Sequence, residues 1–240
     1  MTWNLQRGQA AGGRVAAADM APFAALVAAD RADVVGLQEV TRVEAEAIGL
    51  ALGWAGLAYA ETKRPCPGFP PPLPAACVPF GNAILSRYSM GSGDQWLLPA
   101  SRLEQSLEDR VLLRSVVDAD GLPLSVYVTH LAANATEAER KAQAAAVLAR
   151  VDDNGPSVLL GDFNADPTDE VVGLLTERFV DAWASGRGEG DGFTSNAVLG
   201  ATRRIDYVFV SRDSGLRVTD VEVDTRVLSD HLPVVAELAA

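Results

Sequence analysis

Two histidines are present in 240 residues, His130 and His231, and each sits where an apolar run meets polar neighbours. A lone imidazole in such a place is most often a satisfied core or surface group. What gives these two weight is a matching set of acids and carboxamides: Asn4, Gln38-Glu39, Asp162-Phe163-Asn164, Asp206 and Asp230 each follow or terminate an apolar run. In a sandwich whose strand ends gather at one rim these groups would converge. Crowded carboxylates there cost free energy unless a cation or a protonated imidazole neutralises them. Oxygen ligands with no thiolate and few imidazoles suit Mg²⁺ or Mn²⁺ rather than zinc, and Mg²⁺ characteristically keeps waters and takes a phosphate substrate. The chemistry so implied is metal-assisted hydrolysis of a phosphoester.

Other site classes fail by inspection. No G-x-x-x-x-G-K-[ST] cradle for nucleotide phosphates occurs, both histidines are followed by Leu, which excludes H-E-x-x-H, and no G-x-S-x-G elbow is present. The two cysteines, Cys66 and Cys77, share one proline-rich stretch and lack zinc-site spacing; the sequence leaves open whether they pair.

The elements that must position the polar set are mostly strands. Apolar runs rich in Val, Leu, Ile and Tyr predict strands over 33–37, 82–85, 111–117, 124–129, 157–160, 204–210 and 232–238. Helices are predicted over 22–29, where Pro22 suits a first turn, over 43–52, and over 136–151. The last opens on a Thr136-x-x-Glu139 capping box and is expected to bury Ala138, Ala142, Ala145 and Leu148 on one face. Two stretches read as long surface loops, a proline-rich one over 65–79 and one over 186–192 with a glycine at every second position. Such loops commonly shape a substrate site, though an inert insertion is an equal reading. The chain is expected to form a single domain, 1–240, with no linker.

The formal net charge of −12 disfavours extended nucleic acid, which proteins grip by neutralising phosphates, without excluding a local arginine stripe. No apolar run reaches the length of a membrane span, so no transmembrane segment is expected, while contact with lipid at a membrane surface stays open. Met1-Thr2-Trp3-Asn4-Leu5 has neither the basic nor the long apolar region of a secretory signal, so a cytoplasmic location is the default expectation.

Taken in order, seven segments resemble the endonuclease/exonuclease/phosphatase superfamily, whose members include pancreatic deoxyribonuclease, apurinic endonucleases, neutral sphingomyelinases and inositol-polyphosphate phosphatases. They are Thr2-Trp3-Asn4-Leu5, Val35-Gly36-Leu37-Gln38-Glu39-Val40, Gly81-Asn82-Ala83-Ile84-Leu85-Ser86-Arg87, Thr129-His130-Leu131, Gly161-Asp162-Phe163-Asn164, Arg204-Ile205-Asp206-Tyr207-Val208 and Ser229-Asp230-His231-Leu232-Pro233. One alone would be weak; seven in order are specific. Arg140 and Gln143 also resemble the family's Arg-x-x-Gln helix.

The resemblance implies an α+β fold, a four-layer α/β/β/α sandwich of the deoxyribonuclease I-like kind with the site at the rim between two sheets. It implies Glu39 as the main metal ligand, with Asn4 beside it and Asp230 reaching the metal directly or through water. Asp162 and Asn164 resemble the pair that orients the attacking water and contacts the phosphate; an Asx-turn there is compatible with that role. His231 resembles the imidazole paired with Asp206, and His130 the second one at the phosphate. Which imidazole acts as base stays open.

Arg110 resembles a family arginine that contacts phosphate, although Asp109 replaces the family's proline, and a surface ion pair with Glu108 is an equal reading. Asn82 is equally readable as the end of a loop. The expected enzyme is a Mg²⁺- or Mn²⁺-dependent phosphoesterase acting by in-line attack of water. Because charge disfavours polyanions, and because Phe69, Phe80 and the prolines of the 65–79 loop would form an apolar wall, the expected substrate is a small or lipid-like phosphodiester. A nuclease of the same family is the first alternative, and a non-catalytic binding module on this fold the second.

Overall fold

The computed structural model describes residues 1–6, 9–10, 13–14, 19–63, 68, 77–100, 108–152, 155–212 and 214–240. In chain order the elements are β1 (Thr2–Asn4), β2 (Gln9–Ala10), β3 (Gly13–Arg14), α1 (Ala21–Ala29), β4 (Val34–Val40), α2 (Arg42–Leu52), β5 (Gly56–Lys63), β6 (Phe80–Ser86), β7 (Asp94–Leu97), β8 (Val111–Ala119), β9 (Leu122–His130), α3 (Glu137–Leu148), β10 (Ser157–Asp162), α4 (Glu170–Thr176), β11 (Phe179–Asp181), β12 (Asp206–Ser211), β13 (Arg217–Val223) and β14 (Val234–Ala239). One mixed sheet has the order β13-β14-β1-β4-β6-β5 and the other β11-β12-β10-β9-β8-β7, with β2 and β3 a separate pair.

Side-chain alternation with period two sorts the strand residues into layers. Val126, Val128, Val158, Leu160, Val208 and Val210 of the second sheet face Ala58, Ala60, Ile84 and Val234 of the first, forming the core between the sheets. The intervening residues face outward. Val35, Leu37, Ala83 and Leu85 pack under Phe23, Leu26 and Val27 of α1 and Ala45 and Ile48 of α2. Tyr127, Leu159, Tyr207 and Phe209 pack under Ala144 and Val147 of α3 and Val171 and Leu175 of α4. The layers therefore run helix, sheet, sheet, helix, as expected.

The two sheets come close enough at Gly36 to exclude a side chain. A Cβ there would lie 2.7 Å from Val128 Cγ2 and 3.0 Å from Leu160. Gly36→Val is expected to push the sheets apart and cost about 1–3 kcal/mol by overpacking, seen as a Tm lowered by roughly 2–10 °C in a chain of this size. An unchanged Tm would mean the interface is looser than these distances state.

Two expectations are corrected. Helix α3 is capped by Thr136 and Glu139 as foreseen, but it buries Gln143, Ala144 and Val147, while Ala138, Ala142 and Ala145 are exposed. Alanine is too small to mark a face. The helix turns its one β-branched side chain, Val147, inward, and the buried Gln143 is satisfied by the Ala132 N–H at 3.0 Å and the Pro99 carbonyl at 2.8 Å. Phe80 is 3% exposed, a core residue at the head of β6 rather than a wall open to substrate. Most of the 65–79 loop, including Cys66 and Phe69, lies outside the described residues; Cys77 is disulfide-bonded. No helix is long and apolar enough to cross a membrane among the described residues.

Candidate active site

Register brings the polar set to one edge. Parallel pairing of β1 with β4 sets Asn4 beside Gln38, and parallel pairing of β9 with β10 sets Asp162 beside His130. Antiparallel pairing of β10 with β12 sets Asp162 beside Asp206 on its other side. Asn4, His130 and Asp162 end their strands and Asp206 begins one, so all four lie at the same rim. Gly161 precedes Asp162 because a Cβ there would sit 2.2 Å from the Thr129 carbonyl oxygen of the neighbouring strand.

Glu39 reaches the rim through a break in its own strand. Leu37 pairs with Ala83 but Val40 pairs with Gly81, so three steps on β4 oppose two on β6. The extra residue makes a bulge, with Glu39 in the left-handed region at φ 49°. Leu37 and Val40 both stay on the helix side, and Glu39 is released toward Asn4, whose Nδ2 lies 3.5 Å from its Oε1. A side chain held in that backbone region is strained, and such strain gathers at functional sites. Asn164 is the second case, with φ 48° and its N–H donating to Asp162 Oδ1 at 2.9 Å. That is the Asx-turn the Gly161-Asp162-Phe163-Asn164 string suggests, and it brings the Asn164 amide beside His130 at the rim.

Asp162 is the hub. Its Oδ2 lies 3.1 Å from Asn4 Nδ2, 3.5 Å from His130 Nε2 and 3.9 Å from His231 Nε2. Asn164 Nδ2 donates to the Leu131 carbonyl at 3.0 Å and approaches His130 Nε2 at 3.1 Å. His231 Nδ1 meets Asp206 Oδ2 at 2.8 Å, and the Trp3 indole N–H donates to the His231 carbonyl at 3.0 Å. The Ser229 hydroxyl donates to the Asn4 carbonyl at 2.8 Å, tying the Asp230-His231 segment to the end of β1.

The charges divide sharply between the two imidazoles. Burial, then the Arg110 guanidinium and His231, hold His130 well below the ordinary histidine value, so it is neutral at pH 7. Burial also opposes charge on His231, but Asp206, Asp162 and Asp230 outweigh it and raise it to about 10. Asp162 is pushed up to about 7 by burial and by Asp206, against the pull of His231 and the hydrogen bonds from Asn164 and Asn4.

Two residues stand differently from expectation. Arg110 does pair with Glu108, Nη1 to Oε1 at 2.7 Å, but Arg110 is buried and Glu108 half-buried rather than both on the surface, and the Arg110 charge is felt at His130. Asn82 does not end a loop: it lies within β6 and its Nδ2 donates across to the Val111 carbonyl of the other sheet at 3.1 Å. Thr194 was invisible to sequence reading. It lies in a polar loop with no apolar run beside it, yet its hydroxyl is 2.6 Å from Asp206 Oδ2.

The donor set fits a hard divalent cation. Carboxylates dominate it, Asp162 carries a raised pKa that a cation would relieve, and among the described residues the buried Asp206 Oδ1 has no partner. Two overlapping groups could hold one. Asp162, Asp206 and His231 offer ligand atoms all within 4.8 Å of one another. Glu39 and Asp162 flank the Asn4 amide, with the half-buried Asp230 next to His231. In the first group a proton already joins Asp206 to His231. In the second, Asn4 Oδ1 accepts from the Gln6 N–H at 3.0 Å, which turns the amide nitrogen toward the two carboxylates.

Comparison with known proteins agrees with the fold. The family model described as the endonuclease/exonuclease/phosphatase family matches residues 1–231. Among solved structures, an endonuclease/exonuclease/phosphatase from Beutenbergia cavernae DSM 12333 is similar at a TM-score of 0.80 and 28% identity, over 99% of this chain and 70% of that one. A second, from Bacteroides vulgatus, is similar at a TM-score of 0.78 and 17% identity, over 99% and 97% of the two chains. A mannosyl-6-phosphatase from Bacteroides thetaiotaomicron is similar at a TM-score of 0.70 and 21% identity, over 92% and 90%. No curated protein matches the chain.

Proposed function

The chain belongs to the endonuclease/exonuclease/phosphatase family, and from that premise we propose that it is a divalent-cation-dependent hydrolase of a small or lipid-like phosphodiester. The observation that carries the reading is the buried Asp206–His231 pair at 2.8 Å, held beside Asp162 and Asn164 at the rim. Fold alone does not fix function, but an acid of raised pKa, a charged imidazole, a neutral imidazole and a carboxamide converging on one spot are the parts phosphoester hydrolysis requires.

In this reading Asp162 orients the attacking water and takes its proton, since a base works best with a pKa near the operating pH and Asp162 stands at about 7. His231 stays charged through Asp206 and faces the phosphoryl oxygens, where negative charge grows as water attacks in line. Asn164 and neutral His130 hydrogen-bond the same oxygens. Glu39, with Asp230, would hold Mg²⁺ or Mn²⁺, and Asn4 fixes the Glu39 and Asp162 carboxylates about it. The bound cation supplies Lewis-acid neutralisation of the phosphoryl charge. Arg110 adds positive potential from beneath, paired with Glu108.

Substrate size follows from charge and from a cavity. A net charge of −12 repels a polyanion along its length, whereas one phosphodiester presents a charge that the rim meets locally. Next to the rim, a cavity of about 590 Å³ is lined by the apolar side chains of Trp183, Phe193, Val221 and Leu232 together with the acids Glu189, Asp191, Asp220 and Glu222; Phe193 precedes Thr194 and Leu232 follows His231. The glycine-spaced 186–192 loop forms its wall: a Cβ at Gly188 or Gly192 would lie 2.5 Å from the Trp183 indole, so only glycine lets the backbone wrap that ring. The apolar side of this cavity supports a seat for the organic part of a small substrate, and its acidic side adds to the repulsion of a polyanion.

The test is a panel of bis-p-nitrophenyl phosphate, a phospholipid in detergent micelles and supercoiled plasmid, each with and without Mg²⁺. Turnover of the small or lipid substrates with slow or absent plasmid cleavage at physiological salt is the expected result. Trp183→Ala should raise KM for the lipid by about tenfold, the effect of losing an aromatic contact, while leaving metal affinity unchanged. Rapid plasmid nicking that is lost in His231→Ala would make the nuclease reading correct instead.

A further inference from the structure

The Asp206–His231 pair has a third member. Thr194 is completely buried, and its Oγ1 lies 2.6 Å from Asp206 Oδ2, the same oxygen that receives His231 Nδ1–H at 2.8 Å. The hydroxyl has one proton and two acceptors in reach, Asp206 Oδ2 and the Arg203 carbonyl at 3.4 Å. The shorter bond, to a charged acceptor, is the stronger. Its lone pairs face the Ile205 and Asp206 N–H groups, each at 3.4 Å, which leaves the proton directed at the carboxylate.

Among the described residues Asp206 Oδ1 has no partner, and the hydrogen bonds that orient this carboxylate pass through Oδ2. The Thr194 backbone also binds the segments next to both halves of the pair. Its N–H donates to the Arg203 carbonyl at 2.7 Å, and its carbonyl accepts from the Leu232 N–H at 2.8 Å. One residue thus clamps the strand carrying Asp206 to the segment carrying His231. Without the hydroxyl, Asp206 loses the second bond that fixes its twist about χ2, and the imidazole loses a fixed acceptor.

We propose that Thr194 is a positioning residue for hydrolysis, whose hydroxyl sets the carboxylate plane that orients His231. It acts through Asp206 and does not touch substrate. The inference rests on the reading that the Asp206–His231 pair takes part in turnover.

The test uses bis-p-nitrophenyl phosphate with Mg²⁺ and four proteins: Thr194→Val, Thr194→Ser, His231→Ala and the Thr194→Val/His231→Ala double variant. Thr194→Val should lower kcat by about 10- to 100-fold, the range for losing a hydrogen bond to a charged group, with KM within about twofold of the parent. Thr194→Ser should restore kcat to within about threefold, and Thr194→Val should cost nothing further in the His231→Ala background. If Thr194→Val does not fold, Thr194→Cys replaces it: near in size but a weak donor, it should show the same loss of kcat. A folded valine or cysteine variant with parental kcat, failure of serine to restore it, or an equal loss in the His231→Ala background would overturn the proposal. Undiminished turnover in His231→Ala itself would instead overturn the functional reading beneath it.

Discussion

His231→Ala and Asp206→Asn are each expected to lower turnover by about 10³- to 10⁴-fold, and the double variant to be scarcely worse than the worse single one. The expectation follows from how the pair is built. Asp206 Oδ2 accepts the Nδ1 proton at 2.8 Å inside a buried site, and that bond, with the neighbouring acids, keeps His231 charged against the cost of burial. Removing the carboxylate removes both the charge and the orientation of the ring; removing the ring leaves a carboxylate with nothing to orient. Either loss disables the same unit. A double-mutant cycle on kcat measures it, and losses that multiply would mean that the two groups act separately.

The second large effect concerns Glu39. Chelation should abolish turnover and Mg²⁺ or Mn²⁺ restore it, while Glu39→Gln weakens metal binding by more than about 100-fold, beyond what even outer supporting residues contribute. Calorimetric titration with Mg²⁺ reads the affinity directly. The bulge sharpens the prediction. Because Glu39 sits at φ 49°, Glu39→Gly should fold with a stability within about 1 kcal/mol of the parent, relief of strain offsetting the flexibility of glycine. A residue kept in a strained conformation for stability would behave in the opposite way, and full activity in chelator would remove the metal from the mechanism.

Much of this was legible in the sequence, for identifiable reasons. Strands 111–117 and 124–129 were found because Val, Leu and Tyr alternate there, and the layered fold follows from that alternation in β9, β10 and β12. His130, Asp162 and Asp206 were found because strands stop at a rim and polar residues there are conspicuous. The exposed edge strands β7 and β13 were missed, since Asp94–Leu97 and Arg217–Val223 carry too many polar residues to read as apolar runs. Short helix α4 was missed because seven residues barely express a period. The Glu39 bulge shows only in the register against β6, a long-range fact. Thr194 joins the site through a partner 12 positions away, which no local pattern announces.

The most direct test of the account is the turnover of bis-p-nitrophenyl phosphate, with Mg²⁺ near neutral pH, by the parent protein and by His231→Ala prepared identically. The account predicts hydrolysis by the parent that chelator stops and that falls by about 10³-fold or more in the variant. Equal turnover by the two proteins would contradict it, because among the described residues of the rim His231 with Asp206 is the pair that joins a charged imidazole to a buried carboxylate.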